Sequence, residues 1–292
     1  MSGRVLVVGD VIDDVIVRPA GPIRDDTDTP SRIERLPGGS AANTACWLAS
    51  NGTPSTLVAT VGEDDVDRCG AELARHGVRP HLAAAAAGTT GAIVVLSEGE
   101  RRSMLTDRGA NLATGPELVT GGLLAEHTHL HVTGHVFTGP DRDRAWRRML
   151  DAAQAAGLRR SVAPGSAGLL ADHGPARFTA LVAGVEVLVA SEEEALLLTG
   201  ATGFHEAAEA LGARHEIAAV TLGWRGALLS AGGALTFVPA EAAVPVDVTG
   251  AGDAWVAGLI AGLQAGEEPA EAGRRAAALA ALAVQQVGAR PA

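Results

Sequence analysis

Short apolar runs closed by glycine or aspartate recur along this chain, alternating with stretches whose apolar positions return every three or four residues. The run RVLVVGD (4–10) reads as a buried strand ended by Gly-Asp. DVIVRPA (14–20) and SRIERL (31–36) read as two short, half-exposed strands around a polar loop rich in Asp, Thr and Pro. SAANTACWLASNG (40–52) predicts a helix opened by Ser40 and stopped at Gly52. STLVATVG (55–62) is strand-like, DVDRCGAELARHGV (65–78) helical, and HLAAAAAG (81–88) reads as a connector. TTGAIVVLSEGERRSMLTD (89–107) predicts a β-hairpin turning at Glu98-Gly99-Glu100.

Beyond residue 110 strands and helices alternate. Strand candidates are 129–134, 185–191, 217–223 and 227–240; helix candidates are 141–156, 192–199, 204–214, 253–265 and 268–286. This order predicts an α/β fold with a parallel sheet covered on both faces. The pieces 11–36 and 88–108 do not fit the alternation, and are expected to pair as a small β lid on a core made of 1–10, 37–87 and 109–292.

Composition narrows the function classes. With 292 residues, 47% of them hydrophobic, the chain can bury a sizeable core. A net charge of −11 makes it a poor holder of nucleic acid, whose backbone is gripped by cations. The apolar runs are too short and too often broken by Gly, Asp or Arg to span a membrane, and MSGRVLVVGD lacks a secretory core segment, so a cytoplasmic protein is expected. Cys46 and Cys69 show no metal-type spacing. All 23 basic residues are arginine. The absence of lysine excludes a Walker-type phosphate loop, a lysine-dependent protein kinase, a Schiff base and a pyridoxal enzyme.

The chemistry concentrates in VDVTGAGDAWVAGLIAGL (246–263). Gly250 and Gly252 permit a tight turn with uncovered N–H groups, and the spacing of Trp255, Val256, Leu259, Ile260 and Leu263 starts a helix near Ala251 to Asp253. Free amides at a helix N-terminus suit an anion such as a transferring phosphoryl group, and an adjacent Asp253 can take a proton from an attacking hydroxyl. An acidic residue there equally well complements the helix dipole, and spacing alone leaves both readings open.

Other segments carry the same kind of ambiguity. In SEEEALLLTG (191–200), Ser191 and Glu194 form either a capping box or a group that organises water and Mg²⁺ near phosphates. TLGWRGALL sets Gly223 and Gly226 in a strand-end turn after Thr221. In PGGSAANTA, Asn43 lies in the first turn after Gly38-Gly39, as a local cap or a ligand contact. GDVIDDV places Asp10 and Asp14 at the end of a core strand, where open sheets bind ligands, or in a solvated acidic turn. His127, His129, His131 and His135 lack the cysteines or the helical HExxH spacing of a zinc site.

Taken in order, GDVIDDV, LPGGSAANTA, GERRSMLTDRGAN, SEEEALLLTG, VTLGWRGALL and VDVTGAGDAWVAG resemble the segments of the ribokinase-like (PfkB-type) carbohydrate kinase family over essentially the whole chain. The resemblance implies a three-layer α/β/α sandwich with a mostly parallel central sheet and a small β lid. It implies Asp253 as catalytic base, with the Ala251, Gly252 and Asp253 amides after Gly250 as anion hole. Asp14, Gly38, Gly39 and Asn43, beside Asp10, would hold sugar hydroxyls. Thr221, Gly223 and Gly226 would border ATP, with Ser191 at its phosphates, and Glu194 would hold Mg²⁺ through water. Asp247 and Thr249, with carbonyls near Ala283 and Gly288, match a monovalent-cation site, expected to take K⁺. Three positions depart from the family pattern: Ser191 replaces an asparagine, Ala277 stands where some members carry an adenine-side asparagine, and Ala163-Pro164 replaces Asp-Pro. The family's backbone anion hole needs no lysine.

The expected activity is ATP-dependent phosphorylation of a hydroxymethyl group on a sugar or sugar-like molecule, the lid closing to exclude water. Exposed lid edges favour a homodimer. Rival readings are a nucleoside kinase of the same family, a non-catalytic sugar-binding regulator, and a nicotinamide dehydrogenase. Segments 11–36 and 88–110 contain no Phe, Trp or Tyr to stack a nucleobase, which favours a plain sugar; Arg101, Arg102 and Arg108 leave room for an acidic one. The dehydrogenase lacks GxGxxG after the first strand.

Overall fold

The computed structural model describes residues 3–86, 88–98 and 101–292. Nine strands form the main sheet: β1 (Val5–Val8), β4 (Ser55–Gly62), β5 (Arg79–Ala85), β8 (His129–Thr133), β9 (Arg159–Ala163), β10 (Val187–Ser191), β11 (Ile217–Thr221), β12 (Ala227–Ala231) and β13 (Ala234–Val238). Four more, β2 (Ile12–Pro19), β3 (Ser31–Gly38), β6 (Gly91–Glu98) and β7 (Arg101–Asp107), form a separate sheet. The helices are α1 (Ser40–Ser50), α2 (Val66–Arg75), α3 (Gly121–Ala125), α4 (Asp143–Ala155), α5 (Ala167–His173), α6 (Pro175–Leu181), α7 (Glu192–Thr199), α8 (Phe204–Gly212), α9 (Ala251–Gln264) and α10 (Pro269–Ala283).

The main sheet runs β13-β12-β11-β10-β9-β8-β1-β4-β5, parallel except for the hairpin β12–β13. Apolar residues one apart on a strand enter opposite layers, because side chains alternate across a sheet. Val5 and Val7 face Trp47 of α1, Leu73 of α2, Leu259 of α9 and Leu279 of α10. Leu6 and Val8 face Trp146 and Leu150 of α4, Phe178 of α6, Leu198 of α7 and Leu211 of α8. The three-layer α/β/α architecture follows from this double burial.

The second sheet has the order β3-β2-β6-β7, with β2 and β6 parallel at its centre. Strands from segments 11–36 and 88–108 therefore pair with one another; of the hairpin turn expected at Glu98-Gly99-Glu100, Gly99-Glu100 lies outside the described residues.

Two expectations are corrected, and one strand absent from the candidates is added. The connector at 81–88 is mostly strand: Arg79–Ala85 runs parallel to β4 along the sheet edge, because every residue of Thr56–Gly62 has a partner there. The candidate strand 227–240 is a tight hairpin turning at Gly232 and Gly233, both at positive φ. RRSVA, with little apolar character, is the central strand β9, flanked on both sides by parallel partners.

Candidate active site

α9 begins where the chain turns back toward the sheet. Gly250 is its N-cap, with φ +79°, and a Cβ there would lie 2.6 Å from the Ala289 Cα. The Ala251 amide closes this turn on the Val248 carbonyl at 3.3 Å. The Gly252 and Asp253 amides find no acceptor among the described residues, and a Cβ on Gly252 would meet nothing within 4 Å. Of the three amides expected to form an anion hole, two thus remain bare. Both residues line a cavity of about 190 Å³, with Ser40, Thr44, Thr133, Ser191, Glu194 and Thr221 among its other walls.

Asn43 Nδ2 donates to Asp253 Oδ2 at 2.8 Å. Burial pushes the Asp253 carboxyl up to about 7; the Asn43 bond opposes the rise, the Asp10 charge adds to it, and His135 and Ser40 oppose it. A carboxyl placed there can lose and regain a proton near neutrality. The dipole-complement reading and the base reading converge on one residue, since Asp253 sits in the first turn of α9 and also on the cavity wall.

On the other side of α1, Gly39 has φ +94°, and its missing Cβ leaves room for the Asp10 carbonyl 2.6 Å away. A Cβ at Gly38 would lie 2.2 Å from the Asp14 carboxylate, so a side chain there would displace that carboxyl. Asp14 lies on β2, and burial followed by the Asp10 charge raises its carboxyl to about 6, against the pull of Arg290. Among the described residues Asp14 has no hydrogen-bond donor, which leaves it open to ligand hydroxyls. Asp10 is different. Its Oδ1 accepts the Ala41 amide at 3.2 Å, and its Oδ2 faces His135 Nδ1 at 3.3 Å and Arg108 Nη1 at 3.7 Å. Burial alone would raise it, but His135, the Ala41 amide and Arg108 together hold it at about 2. Asp10 is an ionised organiser of the α1 start, and any ligand meets it beside Arg108 and His135.

Ser191 and Glu194 form the capping box of α7: Ser191 N donates to Glu194 Oε2 at 2.7 Å, and Glu194 N to Ser191 Oγ at 3.3 Å. Burial raises the Glu194 carboxyl. The capping role does not exclude the other one, because the box engages Oε2 and Glu194 still lines the cavity with Gly252 and Asp253. A carboxylate with a second oxygen at that wall fits a hydrated Mg²⁺. Thr221 ends β11 at the same cavity. Gly223 faces open space, whereas Gly226 is a packing glycine whose Cβ would lie 2.1 Å from the Val238 carbonyl.

Asp247 gathers the loop before α9. Its Oδ1 accepts Thr249 N at 3.0 Å and Thr249 Oγ1 at 2.7 Å, and its Oδ2 accepts Gly288 N at 3.3 Å. Asp247, Thr249 and Gly288 are thus together. The carbonyl that meets this loop is Val284's, which takes the Val246 and Asp247 amides, while that of Ala283 accepts Gln286 N at 3.4 Å.

The histidines His129 and His131 both contact Ser161 Oγ at 2.8 Å, and burial lowers each to about 3. Both are neutral, His129 in the core and His131 on the wall of the cavity; among the described residues no cluster suits a metal ion. His135 and Arg290 belong to the site although their spacing predicts nothing. Arg290 is buried, and it donates from Nη2 to the Gly38 carbonyl at 2.8 Å and from Nε to Asn43 Oδ1 at 3.4 Å.

Residues 2–292 match the family described as pfkB family carbohydrate kinase. The chain is 30% identical to a fructokinase of Klebsiella pneumoniae over 91% of its own length and 86% of that protein's. It is 31% identical to an ATP-dependent ribose-1-phosphate kinase of Halopiger xanaduensis, over 99% of its own length and 94% of that protein's. Among solved structures, adenosine kinase from Sinorhizobium meliloti superposes with a TM-score of 0.88 at 26% identity, covering 100% of this chain and 96% of that one.

Proposed function

The chain belongs to the pfkB family of carbohydrate kinases, and from that membership we propose that it transfers the γ-phosphoryl group of ATP to a hydroxymethyl group of a sugar or sugar-like acceptor, with Asp253 as general base. The observation that carries this reading is the pairing of Asp253 with the unpartnered Gly252 and Asp253 amides on one cavity wall. Asp253 takes the hydroxyl proton, the freed oxygen attacks the γ-phosphorus, and the bond to the bridging oxygen breaks as ADP leaves. The two amides and the α9 dipole sit where charge gathers on the phosphoryl oxygens. Mg²⁺, when bound, supplies further positive charge at the phosphates; Glu194 would hold it through water, with Ser191, Thr221 and Gly223 beside the nucleotide. K⁺ would sit by Asp247, Thr249, Ala283 and Gly288 and shape the turn.

Asp14, Gly38, Gly39 and Asn43 would bind the acceptor. Similarity to a fructokinase and to a ribose-1-phosphate kinase supports an acceptor of the sugar class. A nucleoside acceptor is the second reading, favoured by the adenosine kinase neighbour. The aromatic-free strands of the small sheet favour the sugar. That sheet would act as a lid over the acceptor. Ile33, Met104 and Leu105 lie exposed on its outer strands, β3 and β7, which supports a homodimer joined through it.

An ADP-release screen over sugars, sugar phosphates and nucleosides, with and without K⁺, tests the proposal. ADP formation that depends on a sugar supports it. ATP and sugar binding by calorimetry with no ADP from any acceptor would instead establish a non-catalytic binder.

A further inference from the structure

The segment that follows α10 returns beneath the site and is held at several points. Trp47 Nε1 donates to the Ala289 carbonyl at 2.9 Å, Gly288 N to Asp247 Oδ2 at 3.3 Å, and Gln286 Nε2 to the Arg290 carbonyl at 2.6 Å. Ala289 also packs against Gly250, closely enough to exclude a Cβ. This anchoring delivers the Arg290 guanidinium into the interior, where its side chain is 4% exposed. There it meets the Gly38 carbonyl at 2.8 Å, Asn43 Oδ1 at 3.4 Å and Glu72 Oε1 at 3.7 Å.

We infer that Arg290 is a positioning residue for the reaction: it fixes the direction of the Asn43 side-chain amide and so keeps a hydrogen-bond donor on Asp253. The inference rests on the reading of Asp253 as base. A primary amide has two ends of nearly equal shape, one that donates and one that accepts. Arginine only donates, so the end of Asn43 that faces Nε must be the oxygen. The NH₂ end is then turned toward Asp253 Oδ2, at 2.8 Å. Without Arg290 the Asp253 contact alone selects between the two ends, and a protonated Asp253 accepts either. A flipped Asn43 would present its oxygen to Asp253, which repels a carboxylate and favours a protonated acid. The flipped form thus stabilises the state that cannot act as a base.

Burial is what makes this orientation matter, because an unmatched polar contact costs most where water cannot replace it. The titratable and charged groups around the pair come from every neighbouring element. They are Asp10 after β1, Asp13 and Asp14 on β2, Cys46 on α1, Cys69 and Glu72 on α2, His76 after α2, Arg108 after β7, His135 after β8, Glu194 on α7 and Asp247 before α9. Removing Arg290 therefore changes the local charge as well as the orientation, and a test must separate the two effects.

Carbon-13 NMR of the aspartate carboxyls, with the Asp253 signal identified by its loss in D253N, follows the Asp253 titration without any acceptor. R290M is expected to raise that midpoint by about one pH unit or more. In an N43A background, R290M should move it by less than about a third as much, because no amide is left to orient. Equal shifts in the two backgrounds would mean simple loss of positive charge and would overturn the inference, as would no shift in either. Circular dichroism checks folding, and R290Q repeats the comparison if R290M is unfolded. Undiminished sugar phosphorylation by D253N would sink the base reading while leaving the titration result intact, so the two failures are distinguishable.

Discussion

Asn43 and Asp253 stand 210 positions apart in the chain and are joined by a 2.8 Å hydrogen bond from Nδ2 to Oδ2. The bond ties the first turn of α1, which follows the Gly38-Gly39 turn, to the first turn of α9. Two segments far apart in the chain thereby share one contact, and substitutions at either end have separable consequences.

D253N removes the proposed base while keeping a side chain of similar shape. Turnover measured by ADP release is expected to fall by ~10²–10⁴, the usual range for a general base, with the ATP dissociation constant changed little. A loss below tenfold would contradict the assignment.

Turnover should also follow the ionisation of Asp253. Its carboxyl is held at about 7, chiefly by burial, so the base is present above that pH and lost below it. A plot of kcat against pH is expected to rise through about 7 and then level. Acceptor binding should weaken at a lower pH, because Asp14 titrates at about 6 and accepts hydroxyl hydrogen bonds only where ionised. A KM for the acceptor that increases below about 6, with KM for ATP steady, is the expected signature.

The same burial predicts an opposite effect on stability. Asp253 binds its proton more tightly in the folded chain, at about 7, than at its ordinary value of 3.8. Its contribution is fully present below 3.8 and is lost as pH rises through about 7. D253N is therefore expected to raise the Tm over the wild type more at pH 8 than at pH 4. A gain independent of pH would show that the carboxyl is not destabilised by ionisation.

G250A should cost both stability and turnover. The position has φ +79°, and a Cβ would lie 2.6 Å from the Ala289 backbone. Strain and overlap together are expected to cost more than about 1 kcal/mol, read as a fall in Tm of at least ~2 °C. Because the turn aims the Gly252 and Asp253 amides, kcat should fall as well. G252A, where a Cβ meets no protein atom, should keep the Tm and lose activity only through crowding of the phosphate.

Much of this arrangement is legible in the sequence because it is local. The positive φ of Gly39 and Gly250, the place of Asp253 in the first turn of α9, and the capping box of Ser191 and Glu194 are features of the chain within a few residues. Their conformational needs are written in residue type. The same holds for strands such as Val5–Val8, which show as uninterrupted apolar runs.

What resisted reading depended on partners far away in the chain. The alanine-rich β5 has little strand preference of its own and is ordered by pairing with β4. In β9, Arg160 is 1% exposed, and the Glu186 carboxylate, at 2.9 Å from Nε and 2.7 Å from Nη2, together with the Leu150 and Gly184 carbonyls makes that burial tolerable. Arg290 carried no signal at all, since nothing near it in sequence shares its task.

The sequence by itself determined the layered α/β architecture, the glycine turn that opens α9 and the acid in its first turn, because periodicity and backbone freedom are properties of neighbouring residues. Only the tertiary structure decided that Asp10 is a paired anion while, among the described residues, Asp14 stays open and two amides rather than three are bare, and that Arg290 reaches Asn43. Those outcomes depend on burial and on which donor meets which acceptor across the fold, and both are set only when distant segments pack together.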